Sequence, residues 1–207
     1  MSATKVDFKR ELRELYTAGR EPELVDVPEL AFIMIDGHGD PNTSPAYTQA
    51  VEALYTVAYT AKFALARGAD PFDFAVMPLE GLWWVPDMTR FASTEKSDWD
   101  WTMMIMQPDR VSGDVFADAR AAAAEKKSLE AIARVRLERF AEGRAAQVMH
   151  VGPYGAEGPT IAGLHAFIAE QGCAPAGKHH EIYLSDPRRA APEKLKTIVR
   201  QPLARPG

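Results

Sequence analysis

The sequence lacks most features of secreted, membrane-spanning or zinc-binding proteins. Its 207 residues include one cysteine, Cys173, which excludes an internal disulfide and a cysteine-rich zinc site. No run of about 18 apolar residues occurs, so we predict no membrane partner. Residues 1–14 are charged where a signal peptide needs an apolar stretch. From these absences we expect a cytoplasmic protein.

The charge balance also argues against a polyanionic partner. The chain has 24 basic and 29 acidic residues, a net charge of −5, and no long block of Lys or Arg. We therefore predict that it binds no nucleic acid. With 46% hydrophobic residues and no low-complexity tract, the chain is expected to be ordered as one domain over residues 1–207.

The hydrophobic pattern of residues 30–108 predicts a β-α-β-β unit. A compact apolar run at 31–36 indicates a strand, and apolar residues spaced by three and four from Val51 to Leu65 indicate a helix ending at Gly68. Two β-rich runs follow at 74–84 and 99–107. Residues 5–18 predict a short amphipathic helix that braces the domain from outside.

A second β-α-β-β unit is predicted over residues 145–203. An Ala-rich helix over 114–141 would connect the halves, followed by a strand at 145–151, a helix ending at Gly172, and strands at 178–184 and 196–203. The fold class is thus α+β, with two units related by a pseudo-two-fold axis. We expect antiparallel sheets with helices on one side and a ligand cleft on the other.

Alternation along the strand at 178–184 suggests a polar pocket floor. Ile182 and Leu184 point one way, whereas His179, Glu181 and Tyr183 point the other. A carboxylate flanked by Tyr and His suits the floor of a pocket, but a solvated strand face would have the same pattern.

Aromatic residues near a second carboxylate extend this hypothesis to the first half. Glu80 and Trp84 share a strand face, Trp83 points away from them, and Trp101 lies on the next strand. Aromatic walls with one carboxylate favour flat, apolar or cationic molecules. Tyr154, in a Gly-Pro-Tyr turn, either adds a hydroxyl at the cleft mouth or packs on the following helix.

No motif predicts a metal or a cofactor. The second His of a zincin motif, four residues after His180, is replaced by Leu184. The glycines of residues 152–158 do not match a phosphate loop, since Pro153 removes an N–H group that such a loop uses. A Gly-x-Ser-x-Gly nucleophile elbow is also missing.

Several segments closely resemble the GyrI-like small-molecule-binding family. The likeness is most specific at His-His-Glu-Ile-Tyr-Leu-Ser-Asp-Pro (179–187), with His-Val-Gly-Pro-Tyr (150–154) and Pro-Leu-Glu-Gly-Leu-Trp-Trp (78–84) in support. It covers roughly residues 5–203, and segments 36–42 and 51–55 are similar to its stand-alone members. Relatives are fused to DNA-binding helices, whereas the N-terminal segment here supplies one helix and no helix-turn-helix.

The resemblance implies two facing β-α-β-β units around a drug-sized cleft, and Glu181 matches the family's acidic pocket residue. Tyr154, Tyr183, Trp83 and Trp84 match its other pocket residues. Some stand-alone members hydrolyse cyclopropane-containing DNA-alkylating natural products, a detoxification activity. For such chemistry we assign Glu181 as base and Tyr154 as hydrogen-bond donor, roles that Glu80 and Tyr183 could exchange with them.

The predicted function is therefore binding of flat hydrophobic or cationic small molecules. The alternatives are hydrolysis of electrophilic cyclopropanoids, non-catalytic sequestering or sensing of drugs, and interaction with gyrase. The sequence predicts no particular oligomeric state. The predicted ligand-binding residues beside Glu181 and Tyr154 are Glu80, Trp83, Trp84, Trp101, His179 and Tyr183.

Overall fold

The structure, a computed structural model, describes residues 5–204, apart from the side chain of Ala92. Its helices are α1 (Phe8–Glu11), α2 (Arg13–Tyr16), α3 (Pro45–Arg67), α4 (Gly113–Lys126), α5 (Ala131–Arg134) and α6 (Gly158–Glu170). Its strands are β1 (Glu23–His38), β2 (Leu79–Trp84), β3 (Asp100–Gln107), β4 (Arg136–Val151), β5 (Ala174–Pro175), β6 (His179–Tyr183) and β7 (Lys196–Ala204). None of the helices in this range has the length and apolarity to cross a bilayer.

Six strands form an antiparallel barrel-like sheet in the order β4-β1-β3-β2-β6-β7, and pairing of β4 with β7 closes it. The α+β class is therefore confirmed. Each half contributes three strands joined in the same way, β1-β3-β2 and β4-β7-β6, and the halves meet at the β1–β4 and β2–β6 pairs. The pseudo-two-fold axis itself stays a prediction.

Two helices cover the outer face of the barrel and leave a gap between them. Helix α3 packs on β1 and β3 through residues such as Leu54 and Val57, whereas α6 packs Leu164 and Ile168 on β4 and β7. Neither covers the β2–β6 pair. The expectation of helices and cleft on opposite sides of the sheet was wrong, because both lie on the outer face.

The predicted connecting helix over 114–141 was wrong in its second half. Helix α4 ends at Lys126, the short α5 follows, and β4 begins at Arg136. Residues 136–141 pair with β1, where the Phe140 ring meets Phe32 edge-on at 6.3 Å. The helical spacing of Leu137 and Phe140 is thus overridden by long-range pairing with β1, a common outcome for segments of ambiguous period.

The N-terminal segment packs against residues of the barrel interior instead of bracing the barrel from outside. In place of one helix over 5–18 it forms the two short helices α1 and α2, and both Leu15 and Tyr16 are buried. The Tyr16 hydroxyl donates a hydrogen bond to Glu80 inside the barrel at 2.7 Å. This contact attaches the segment to the strand that also forms the cleft floor.

Candidate functional site

A long groove runs between α3 and α6, with β2 and β6 as its floor. Its volume is about 2570 Å³, well above the roughly 300–1,000 Å³ of most small-molecule pockets. The groove therefore includes a ligand cleft and open continuations at its ends. The part over the floor is lined by Tyr47, Trp83, Phe91, Trp99, Tyr154, Glu157, His179, Glu181 and Tyr183.

Glu181 lies at the centre of the floor, and both of its carboxylate oxygens have partners. Its Oε1 is 3.1 Å from His179 Nε2, and its Oε2 accepts a hydrogen bond of 2.7 Å from the Tyr183 hydroxyl. Trp83 Nε1 in turn donates to the Tyr183 oxygen at 3.1 Å. Strand alternation places all four side chains on the outer face of the barrel, as the sequence predicted for β6.

Gly81 makes room for this arrangement. It is the register partner of Glu181, and a Cβ atom there would lie 2.8 Å from Trp83 Nε1 and 3.1 Å from the Tyr183 hydroxyl. Any larger residue would push the two side chains apart. A glycine at this position thus allows the Trp83–Tyr183–Glu181 chain of hydrogen bonds to cross the strand pair.

The environment of Glu181 keeps its carboxylate ionised. Burial alone would raise its pKa, but the hydrogen bond and charge of His179, together with the Tyr183 hydroxyl, lower it below the usual value. The same carboxylate, added to burial, raises the pKa of Tyr183 well above its usual range. Glu181 is therefore an anion in a mostly aromatic cleft.

A second carboxyl group, Glu157, lies beside Glu181 in the cleft. Glu157 precedes α6 and is only 4% exposed, yet its side chain makes no capping hydrogen bond to the helix. Its Oε1 has no hydrogen-bond partner among the described residues. Burial, and then the charge of Glu181, raises the pKa of Glu157 to about 9. At neutral pH the cleft thus holds one ionised and one neutral carboxyl group.

Aromatic rings form the walls. Tyr47 of α3 stacks on Trp83 with ring centroids 6.0 Å apart, and Tyr154 meets Tyr183 edge-on at 5.5 Å. Phe91 stacks on Trp99 at 4.5 Å at the open side. Burial, and then the charge of Glu157, raises the pKa of Tyr154 to about 12, so its hydroxyl remains a donor at neutral pH.

The structure brings five of the eight predicted site residues together in the cleft: Tyr154, Trp83, His179, Glu181 and Tyr183. Trp101 lies behind the wall, fully buried, with its Nε1 donating to the carbonyl of Gly39 at 3.2 Å. Trp84 faces away from the cleft, under the ammonium group of Lys178. Neither Trp101 nor Trp84 is exposed in the groove.

Glu80 is placed on the opposite face of β2 from the cleft. Inside the barrel it accepts a hydrogen bond from Tyr16, and its Oε2 is 3.0 Å from His180 Nε2. His180 Nδ1 lies 2.9 Å from Glu142, which also accepts from Arg200 at 3.2 Å. The expectation that Glu80 shares the pocket with Glu181 is therefore corrected: the two carboxylates lie on opposite sides of the barrel wall.

Sequence reasoning missed Glu157 and the contribution of α3. Glu157 belongs to no strand or regular motif, so no periodicity marks it. Helix α3 does carry a signal, because Tyr47, Val51, Tyr55, Tyr59 and Phe63 recur at intervals of four and all line the groove. In residues 5–204, no group of three or more His, Cys, Asp or Glu side chains is arranged to hold a metal ion.

Comparison with known proteins gives the following matches. The family model of the GyrI-like small molecule binding domain matches the sequence over residues 20–204. An uncharacterized conserved protein from Listeria innocua has 43% sequence identity and a TM-score of 0.89, over 97% of this chain and 100% of that one. A crystal structure described as a hydrolase from Listeria innocua has 41% identity and a TM-score of 0.84 over the same shares.

More distant similarity is limited to the fold. The C-terminal domain of EcmrR has 10% identity and a TM-score of 0.56, with 90% of this chain and 98% of that one covered. No curated protein matches the sequence significantly.

Proposed function

Because the chain belongs to the GyrI-like small-molecule-binding domain family, we propose that its cleft binds flat hydrophobic or cationic compounds. The observation that carries this proposal is the ionised carboxylate of Glu181 at the bottom of an aromatic cleft. We also propose that the two β-α-β-β units are related by a pseudo-two-fold axis, with the cleft along their β2–β6 junction.

The arrangement suits a flat cation for electrostatic reasons. Trp83, Tyr47 and Tyr183 offer ring faces and edges, and cation-π attraction strengthens when the ring and the charge are shielded from water. Glu181 has a single basic neighbour, His179, within ion-pair distance in the described residues. A ligand cation would therefore add positive charge beside a carboxylate whose one basic neighbour among the described residues is His179.

The test compares two compounds of one shape, the cation N-methylacridinium and neutral acridine, by quenching of tryptophan fluorescence. We expect saturable binding of both compounds by wild type. Glu181→Gln should bind the cation at least tenfold more weakly, a loss of about 1.4 kcal/mol, because the variant lacks the negative charge of the carboxylate. Glu193→Gln, at an exposed position, is the control. Equal affinity of the cation for wild type and Glu181→Gln would contradict the proposal.

Hydrolysis of an electrophilic cyclopropanoid is the second candidate, as a protective reaction in the cytoplasm. It is supported by the neighbouring carboxyl groups with opposite pKa shifts, a typical pattern of acid–base pairs. The 41% identity to a protein described as a hydrolase also supports it.

In this reaction, water would add to a cyclopropane carbon conjugated to a dienone. The new C–O bond forms as the ring C–C bond breaks, and the bonding electron pair moves to the carbonyl oxygen. Glu181 would accept the proton of the water while the Tyr154 hydroxyl donates a hydrogen bond to the developing oxyanion. Glu80 is not part of this scheme, since it lies inside the barrel.

Mass spectrometry of a cyclopropyl-dienone compound incubated with the protein tests this step. A product heavier by one water, formed by wild type and lost in Glu181→Gln, is the expected result. Equal decay rates with both proteins would remove hydrolysis and leave a sequestering or sensing function. Inhibition of gyrase without binding of either acridine would instead favour the gyrase-interacting alternative.

A further inference from the structure

The second carboxyl group of the cleft has no role in the binding scheme above. Glu157 Oε1 is buried and unpartnered among the described residues, and the side chain does not cap α6. An ionised carboxylate at a helix N-terminus is normally favoured by the helix dipole. Its neutral state here must therefore result from its buried position and from the neighbouring carboxylate.

The two carboxyl groups differ in the donors that they receive. Glu181 uses both oxygens, one with His179 and one with Tyr183. Glu157 has no ion-pair partner among the described residues. Two adjacent buried carboxylates do not both ionise without a compensating charge, so one of them retains a proton. The distribution of donors selects Glu157 as the group that retains it.

The groups that face Glu157 supply little positive charge. Glu181 raises its pKa, and the charge of Lys96 is the last and weakest of the influences that lower it. Tyr154 and Tyr183 are neutral at physiological pH, with raised pKa values. The hydroxyl of Thr197 in β7 carries no charge and lowers the pKa of Glu157 only by hydrogen bonding.

We propose that Glu157 and Glu181 share one proton in the empty cleft and that a bound flat cation replaces it. The exchange is balanced: the Glu157 carboxyl group loses a proton to solvent, and the ligand supplies the positive charge that the carboxylate pair then needs. Glu157 thereby determines specificity for cations over neutral molecules of the same shape. This inference rests on the proposed binding function.

The exchange gives binding a distinct dependence on pH. Below the pKa of Glu157 in the free protein, each cation bound releases up to one proton, so affinity rises with pH by up to about tenfold per unit. A neutral ligand releases no proton and has a flat profile. Gln at position 157 resembles the protonated carboxyl group in shape but has no acidic proton to release.

Calorimetric titration of N-methylacridinium at pH 7.5 in phosphate and in Tris counts the released protons, because the two buffers differ in ionisation enthalpy. For wild type we expect a value approaching one, and for acridine a value near zero. In Glu157→Gln we expect release below about 0.2 protons and an affinity that changes less than twofold between pH 6.5 and 8.5. Glu170→Gln, on the exposed end of α6, should behave as wild type.

Three results would overturn the proposal. Saturable cation binding by wild type without proton release removes the exchange but leaves the binding function intact. Unchanged release in Glu157→Gln assigns the proton elsewhere. Binding of neither acridine removes the binding function together with the exchange. In the free protein, carbon NMR of the glutamate carboxyl groups separately tests the shared proton, with one carboxyl, absent from Glu157→Gln, expected to titrate near pH 9.

Discussion

Strand β6 carries buried ionisable side chains on both faces, and the two faces treat charge differently. On the inner face, His180 lies between Glu80 and Glu142, and Arg200 completes the group, so two positive and two negative charges are paired. On the outer face, Glu181 and Glu157 have one basic neighbour between them in the described residues.

The difference separates a structural network from a binding site. Each inner charge has a hydrogen-bonded partner of opposite sign, and Tyr16 and Gln147 satisfy further atoms. Such a network favours one arrangement of the barrel and has no group left for a ligand. The outer face leaves a carboxyl oxygen unpartnered beside a solvent-accessible groove, so a ligand can supply what the protein does not.

The largest expected effect comes from breaking the inner network with Arg200→Met. Arg200 donates to Glu142 and Gln147 and to the backbone of Leu15, so its loss leaves a buried carboxylate short of a partner. We expect the free energy of unfolding in urea to fall by about 3–5 kcal/mol. Arg144→Met, at an exposed position of the neighbouring strand β4, should change it by less than about 0.5 kcal/mol. A loss below about 1 kcal/mol for Arg200→Met would show that the network is dispensable.

The second effect is a pH dependence that originates on the inner face. Burial alone would lower the pKa of His180, but the charges of Glu142 and Glu80 raise it from 6.5 to about 9. A raised pKa means that folding takes up a proton at neutral pH. Its contribution is complete below about pH 6.5 and is lost as the pH rises through 9, a decrease on the order of 3 kcal/mol.

Nitrogen NMR of the His180 ring measures this directly. We expect both ring nitrogens to remain protonated at pH 8. In unfolding experiments, the Glu157→Gln variant should still lose stability between pH 6.5 and 9. That background removes the contribution of Glu157 over the same range. A His180 ring that titrates near 6.5 would refute the assignment.

The smallest effect belongs to the outer face, where a substitution is expected to stabilise the protein instead of destabilising it. At pH 7, Glu157 is protonated in the folded chain but ionised in the unfolded chain, so folding must take up a proton against its usual pKa. Glu157→Gln needs no proton, and the roughly 2.5 pH units between pH 7 and the usual pKa of 4.5 set an upper limit of about 3 kcal/mol on the stabilisation that we expect from it. The gain should shrink as pH falls toward 4.5. A Glu157→Gln variant less stable than Glu170→Gln at pH 7 would contradict this.

Much of the fold could be predicted from local sequence, because the spacing of apolar residues in a regular helix or strand indicates which of its faces is buried. The ends of α3 and α6 near Gly68 and Gly172 and the alternation of β6 are examples. The resemblance of residues 179–187 to the GyrI-like family indicates a small-molecule-binding domain. Residues 136–144 could not be predicted, since their pairing partner is β1, more than 100 residues earlier in the chain. Their local spacing fits a helix as well as a strand.

The candidate site also contains residues that the local pattern predicts and residues that it does not. The β6 alternation placed His179, Glu181 and Tyr183 together, because side chains two residues apart share a strand face. The sides taken by Glu80 and Trp84 depend on which face of β2 forms the barrel interior, and a strand pattern does not reveal this when both faces are buried. Glu157 lies in an irregular turn whose position is set by packing of α6.

By itself, the sequence determined the α+β class, the order of most elements, the family and the presence of an acidic, aromatic strand face. Only the tertiary structure decided that Glu80 pairs with His180 inside the barrel while Glu157 joins Glu181 outside. The reason is physical. Periodicity reports whether a side chain is buried, whereas its protonation and role depend on which distant charges share its surroundings.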